Sequence, residues 1–189
     1  MGGIGSRQPK IAVFVDWCNL GDVRAVLDYG RFRQYLDTLG RVRKAYIYVA
    51  GHTIPMPPAL KQLSSFGSML QKHGFIVREK GIEHKERGPV DGDMDVELTI
   101  DVVDTLSGHG QTLDKIVLFS GDGHFCSLVT RIKNQRAKRP IKVLIVGRLG
   151  HTSSKIRWLA DAYIPIEKIV EQISQPEPAV SQVLTGGAA

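Results

Sequence analysis

Two stretches of the chain are apolar at every position and then stop near an acid. The first, Ile11-Ala12-Val13-Phe14-Val15, ends at Asp16, and the second, Ile116-Val117-Leu118-Phe119, ends at Ser120-Gly121-Asp122. A short, largely β-branched run with no polar position has no face to give to water. It predicts a strand buried on both sides, as in a parallel sheet. Elsewhere the period changes. Phe32, Tyr35, Leu36 and Leu39 recur at helical spacing over 31–39 and stop at Gly40, and Leu60, Leu63, Phe66 and Leu70 do so over 59–73 and stop at Gly74. Arg43–Val49, Phe75–Glu79 and Ile141–Val146 predict further strands. Residues 93–106, 124–136 and 152–161 predict further helices, with one or two helical turns over 166–173. The tracts 50–58 and 80–92, punctuated by Pro and Gly, read as loops.

Strands alternating with helices pair in parallel through right-handed crossovers. The expectation is an α/β fold, a three-layer α/β/α sandwich around a mainly parallel sheet of about five strands. Residues 1–9 read as a flexible leader, 10–173 as one domain, and 174–189, with their small and polar residues, as a disordered tail. A length of 189 residues and 42% hydrophobic content suit one ordinary globular core. No apolar run approaches the ~20 residues of a membrane helix, so no membrane partner is expected. Nor does an apolar segment precede Ile11 as a secretory signal requires. Cys18 and Cys126 form no CxxC pair and read as reduced thiols, which points to the cytoplasm. Twenty-five basic against 19 acidic residues leave a net charge of +6, compatible with a polyanionic partner.

In parallel sheets the groups that do chemistry sit just beyond the carboxyl ends of the strands. If the two apolar strands are neighbours, Asp16 and Asp122 meet there. A third acidic segment, Asp91-Gly92-Asp93-Met94-Asp95-Val96-Glu97, opens a helix whose first turn carries Asp95 toward the same edge. Asp101, six residues later, falls on a different helix face. Each acid also has a plain structural use, as a cap or as a dipole-favoured charge. Three acidic segments at one edge suit oxygen ligation of Mg²⁺ or Mn²⁺. Such an ion lowers the pKa of a bound water and offsets charge on a phosphodiester. The basic groups Arg131, Lys133, Arg136, Lys138 and Arg139, and Arg41, Arg43 and Lys44, are either solvated faces or tracks for a phosphate backbone. Trp17 either stacks on a base or packs over the sheet edge, and Trp158 reads as core. His84, His109 and His151 lack metal-ligand spacing and read as surface.

Three motifs together resemble one family. Phe14-Val15-Asp16-x-x-Asn19-Leu20, Gly92-Asp93-Met94-Asp95-Val96-x-Leu98-x-x-Asp101 and Ser120-Gly121-Asp122-Gly123-x-Phe125 are similar to the NYN domain, in the LabA-like branch of the PIN-like ribonucleases. Thr152-Ser153-Ser154-x-x-x-x-Trp158-Leu159-Ala160-Asp161 resembles the C-terminal helix of that branch. The resemblance implies a Rossmann-like sheet of order 3-2-1-4-5 and metal-dependent cleavage of RNA, expected to be single-stranded. It implies Asp16, Asp95 and Asp122 as the acidic metal site, Asn19 and Ser120 as groups that orient ligands or water, and Asp101 in a supporting role. Two positions depart from the pattern. His124 stands where the family commonly has a second Asp, and adds an imidazole ligand better suited to Mn²⁺ than to Mg²⁺. Asp91 stands where a Lys is frequent, which leaves phosphate contacts to Lys80, Lys85 or Arg87, with Arg131 and Lys133 as further RNA-binding candidates. The alternative implied by these departures is a catalytically weak module that binds RNA or a protein partner in a regulatory role. A homodimer is compatible with either reading.

Overall fold

Alternation inside the first strand sets the architecture. In the computed structural model, which describes residues 7–50, 59–80, 94–109, 112–135 and 139–175, β1 (Lys10–Asp16) is buried along nearly its whole length. Ile11, Val13 and Val15 enter one apolar cluster, while Ala12 and Phe14 enter another on the opposite face. A strand that supplies two cores needs a helical layer on each side. One layer holds α1 (Val23–Val26), α2 (Tyr29–Leu39), α3 (Ala59–Lys72) and α7 (Val170–Ile173), and the other α4 (Asp95–His109), α5 (Cys126–Lys133) and α6 (Ser154–Leu159).

The sheet is parallel throughout and runs β3-β2-β1-β4-β5-β6, with β2 at Arg41–Ala50, β3 at Ile76–Lys80, β4 at Lys115–Phe119 and β5 at Lys142–Gly147. The chain moves one way from β1 to β2 and β3, then crosses back through α4 to lay β4 on the other side of β1. That reversal opens a crevice at the carboxyl ends of β1 and β4. Val15 pairs with Phe119, so Asp16 and the Ser120 turn leave the sheet side by side.

The strand order implied by the family resemblance is present and is extended by a sixth strand, β6 (Ala162–Pro165), which pairs with β5. Its pattern is too brief to read as a strand, with only Tyr163 and Ile164 between Ala162 and Pro165. Pairing starts from Asp161, whose amide donates to the Val143 carbonyl and whose carboxylate accepts from the Val143 amide. The expected helix over 124–136 is a 3-10 turn at Gly123–Phe125 followed by α5, and α4 begins at Asp95 rather than Asp93. Contacts also continue just past the expected boundary at 173. Ser174 bridges Leu27 in antiparallel fashion and the Gln175 amide donates to the Val26 carbonyl, tying both residues to α1.

Trp17 is a packing residue. It is 5% exposed and its ring lies 5.2 Å from that of Phe66 and 6.2 Å from that of Tyr29. Trp158 overturns its expected place in the core, being 83% exposed. On α6, Ile156 points inward with none of its surface exposed, and Trp158 follows two residues, about 200°, further round. The Leu60 and Leu63 side chains fall outside the described residues.

Candidate functional site

The carboxyl end of β4 turns through Ser120-Gly121-Asp122, and space there is tight. A Cβ on Gly121 would come 2.7 Å from Thr152 Oγ1 and 2.9 Å from Thr152 Cα, and one on Gly147 would come 2.5 Å from the same hydroxyl. Glycine is needed at both because Thr152 fills the gap between the ends of β4 and β5. The Thr152 hydroxyl donates to the Arg148 carbonyl at 2.7 Å, and the Ser153 amide donates to the Gly121 carbonyl at 2.9 Å. The loop bearing Asp122 is therefore fixed from two sides.

Asp16 holds that loop from the β1 side. Its Oδ1 accepts from the Cys18 and Asn19 amides at 3.1 and 3.4 Å, and its Oδ2 accepts from Asn19 Nδ2 and, at 3.2 Å, from the Ser120 hydroxyl. The Ser120 oxygen in turn accepts the Asp122 amide at 3.1 Å, and Asn19 Oδ1 accepts the Gly121 amide at 3.3 Å. Burial raises the Asp16 pKa above the ordinary carboxylate value, against the opposing effect of the bonds from Asn19, Ser120 and Cys18.

Three side chains converge in front of this frame. Asp95 from the first turn of α4, Asp122 from the β4 turn and His124 from the 3-10 turn each offer one ligand atom, all within 4.8 Å of one another. His124 Nδ1 lies 3.4 Å from Asp122 Oδ1 and 3.6 Å from Asp95 Oδ2, while the His124 amide donates to Asp122 Oδ1 at 2.8 Å. Two carboxylates and an imidazole form a donor set that fits a divalent cation, with the nitrogen favouring Mn²⁺ over Mg²⁺. Asp16, expected as a fourth ligand, is outside this group. It is 8% exposed, and its two oxygens take the four hydrogen bonds given above.

The other expected residues are distributed unevenly. Asp101 stays clear of the cluster, as its helix face predicts. Its carboxylate takes a forked pair of bonds from Arg78, at 2.8 and 2.9 Å, and a third from the Tyr48 hydroxyl at 3.0 Å. The bonds from Arg78 hold its pKa below the usual value. Lys80 is at the carboxyl end of β3 and pairs with Glu97 on α4 at 3.3 Å. Lys85, Arg87 and Asp91, together with His84, Arg136 and Lys138 and the His109 side chain, lie outside the described residues. Arg131 and Lys133 are not brought to the acids. A crossover helix runs back down the sheet, so the end of α5 reaches the amino edge. There Lys133 bonds the Leu159 carbonyl at 2.9 Å and lies 3.6 Å from Asp161. What sequence reasoning missed is Thr152 as the spacer between two strand ends. The small residues at 121 and 147 are its trace in the sequence.

The NYN domain model matches residues 10–167. The chain is 29% identical over 194 residues to "Low amplitude and bright protein LabA" of Synechococcus elongatus, across 93% of this chain and 95% of that protein. It is also similar to the crystal structure of a Vibrio parahaemolyticus protein of unknown function, at a TM-score of 0.64 and 26% identity, covering 90% of this chain and 98% of that one. Among the described residues no helix is long and apolar enough to cross a membrane.

Proposed function

The chain belongs to the NYN-domain family, and on that premise we propose that it is a metal-dependent ribonuclease acting on single-stranded RNA at Asp95, Asp122 and His124. The convergence of these three ligand atoms within 4.8 Å, at the crevice where the sheet reverses, carries the reading. A bound Mn²⁺ or Mg²⁺ would supply an acidic water as nucleophile and offset charge on the scissile phosphodiester. Asp95 and Asp122 would hold the ion, with His124 as the nitrogen ligand. Asp16, Asn19 and Ser120 set the direction of the Asp122 backbone through the bonds described above, which makes them positioning residues. Lys80, beside Glu97 at the same edge, is one described cation placed to meet a phosphate. All three proposed ligands come from one chain, so the site does not require a homodimer. Cys18 and Cys126 are not in a disulfide, consistent with work in the reducing cytoplasm.

One observation favours a second reading. His124 Nδ1 already lies 3.4 and 3.6 Å from the two carboxylates, which suits a module that holds RNA and cuts it poorly. Labelled single-stranded RNA incubated with Mn²⁺ or Mg²⁺ and wild type, Asp95→Asn or Asp122→Asn separates the two. Cleavage by wild type alone supports the nuclease. RNA left equally intact by all three defeats it, and retained salt-sensitive binding would then support the second reading.

A further inference from the structure

A cleft of about 270 Å³ lies between α5 and α6, lined by Cys126, Ser127, Thr130, Lys155 and Leu159. Its upper end lies toward the 3-10 turn that carries His124. Ser127 follows His124 by three residues, about one helical turn, and Ser153 at the head of α6 would touch a Cβ on Gly123 at 3.2 Å. Its lower end is closed by Lys133, whose ammonium bonds the Leu159 carbonyl.

The helix phase places Trp158 on the outer rim. At 3.6 residues per turn, Lys155 and Leu159 lie about 40° apart facing the cleft. Ile156 is about 100° from Lys155 on the buried side, and Trp158 about 60° from it on the other, toward solvent. Trp158 is 83% exposed, one of the larger apolar surfaces the described residues leave in water. An exposed indole beside a lysine, a serine hydroxyl and a nucleotide-sized cleft matches what single strands use, an aromatic platform for a base with cations along the backbone. The net charge of +6 agrees in sign.

We infer that the α5–α6 cleft is a subsite for the nucleotide next to the scissile phosphate, with its backbone at Lys155 and Ser127 and its base stacked on Trp158. This rests on the ribonuclease reading and adds where the strand runs as it leaves the acids, down α6 past Trp158. The platform accepts any base, so the substrate class is unpaired RNA without strong sequence preference.

The two tryptophans of the chain permit a direct test. Trp17 is buried and Trp158 exposed, so binding of oligo(U) should quench the Trp158 emission. Titrations would use full-length Asp122→Asn protein with Mn²⁺, in low salt, to allow binding with impaired cutting. With affinities of all variants read from the anisotropy of a labelled oligo(U), Trp158→Ala should weaken binding about tenfold, Trp158→Phe should restore most of the affinity, and Lys155→Ala should weaken binding and lower its salt dependence. Circular dichroism matching the parent protein checks the fold, since Trp158 is solvent-facing. Unchanged affinity in Trp158→Ala, with wild type still cutting RNA, overturns the subsite and leaves the nuclease reading standing. No binding and no cutting by wild type overturns both.

Discussion

Asp95 and Asp101 stand six residues apart on α4, and their surroundings divide the helix into two regions. Asp101 lies in the fork of Arg78 and under the Tyr48 hydroxyl, with 12% of its side chain exposed. Arg78 in turn spreads over the Tyr46 ring, its guanidinium carbon 5.7 Å from the centroid. Asp95 faces another carboxylate, with an imidazole between them that is 81% exposed. At Asp101 the opposite charge is a permanent cation, held by two parallel bonds. At Asp95 the neighbour is an imidazole, which can turn away or ligate an ion. The first arrangement fixes α4 on the sheet. The second turns its acid toward the open cluster of Asp122 and His124. One helix thus carries two acids in unlike settings, and the difference lies in what the neighbouring strands and turns present to them.

The contrast can be broken from either end. The largest effect is expected at the open end, where Asp95→Asn or Asp122→Asn should reduce RNA cleavage by about 10²–10³-fold and leave the urea midpoint within a few tenths of a molar of wild type. At the closed end, Asp101→Ala should cost about 2 kcal/mol in urea unfolding. The value is below that of a fully buried pair because Arg78 is half in water. The same pair sets a pH signature. The folded pKa of Asp101 is lowered from 3.8, so its contribution is present at neutral pH and is lost as pH falls below that value through the folded pKa. Wild type should therefore lose its stability advantage over Asp101→Ala in acid, and an advantage that persists unchanged to pH 2 would refute the assignment. Gly121→Ala tests the frame behind the open end. The added carbon meets the Thr152 backbone, and about 1–2 kcal/mol of destabilisation together with reduced cleavage is expected. His124→Ala is the mildest change, predicted to weaken Mn²⁺ binding about tenfold by calorimetry while altering Mg²⁺ binding less.

The central strands were legible because a run buried on both faces has a pattern that only a parallel sheet explains, and both acids at their ends followed from it. Asp95 was legible as a first-turn residue on a helix aimed at the same edge. Other parts depend on distances along the fold that residue types do not encode. Asp16 has a hydrogen-bonding role that residue types alone do not show, since a carboxylate that takes three bonds from its own loop and one from Ser120 has the same letter as one that does not. Arg131 and Lys133 follow the second acid motif closely in sequence but stand at the other edge, because the helix between runs antiparallel to the strand. Trp158 was misplaced by composition, and its helical phase relative to Ile156 corrects it. The sixth strand was hidden by its length, with pairing supplied by Asp161.

The reversal of the sheet at β1 also has a meaning in time. The Ser120–Asp16 bond joins residues 104 positions apart. Closing so long a loop is slow relative to local helix formation. A chain emerging from the ribosome can pair its first three strands before β4 exists. Until β4 seats against β1, Asp95 and Asp122 have no shared edge on which to meet. The acid cluster is thus a late product of folding, and partly made chains carry no assembled centre.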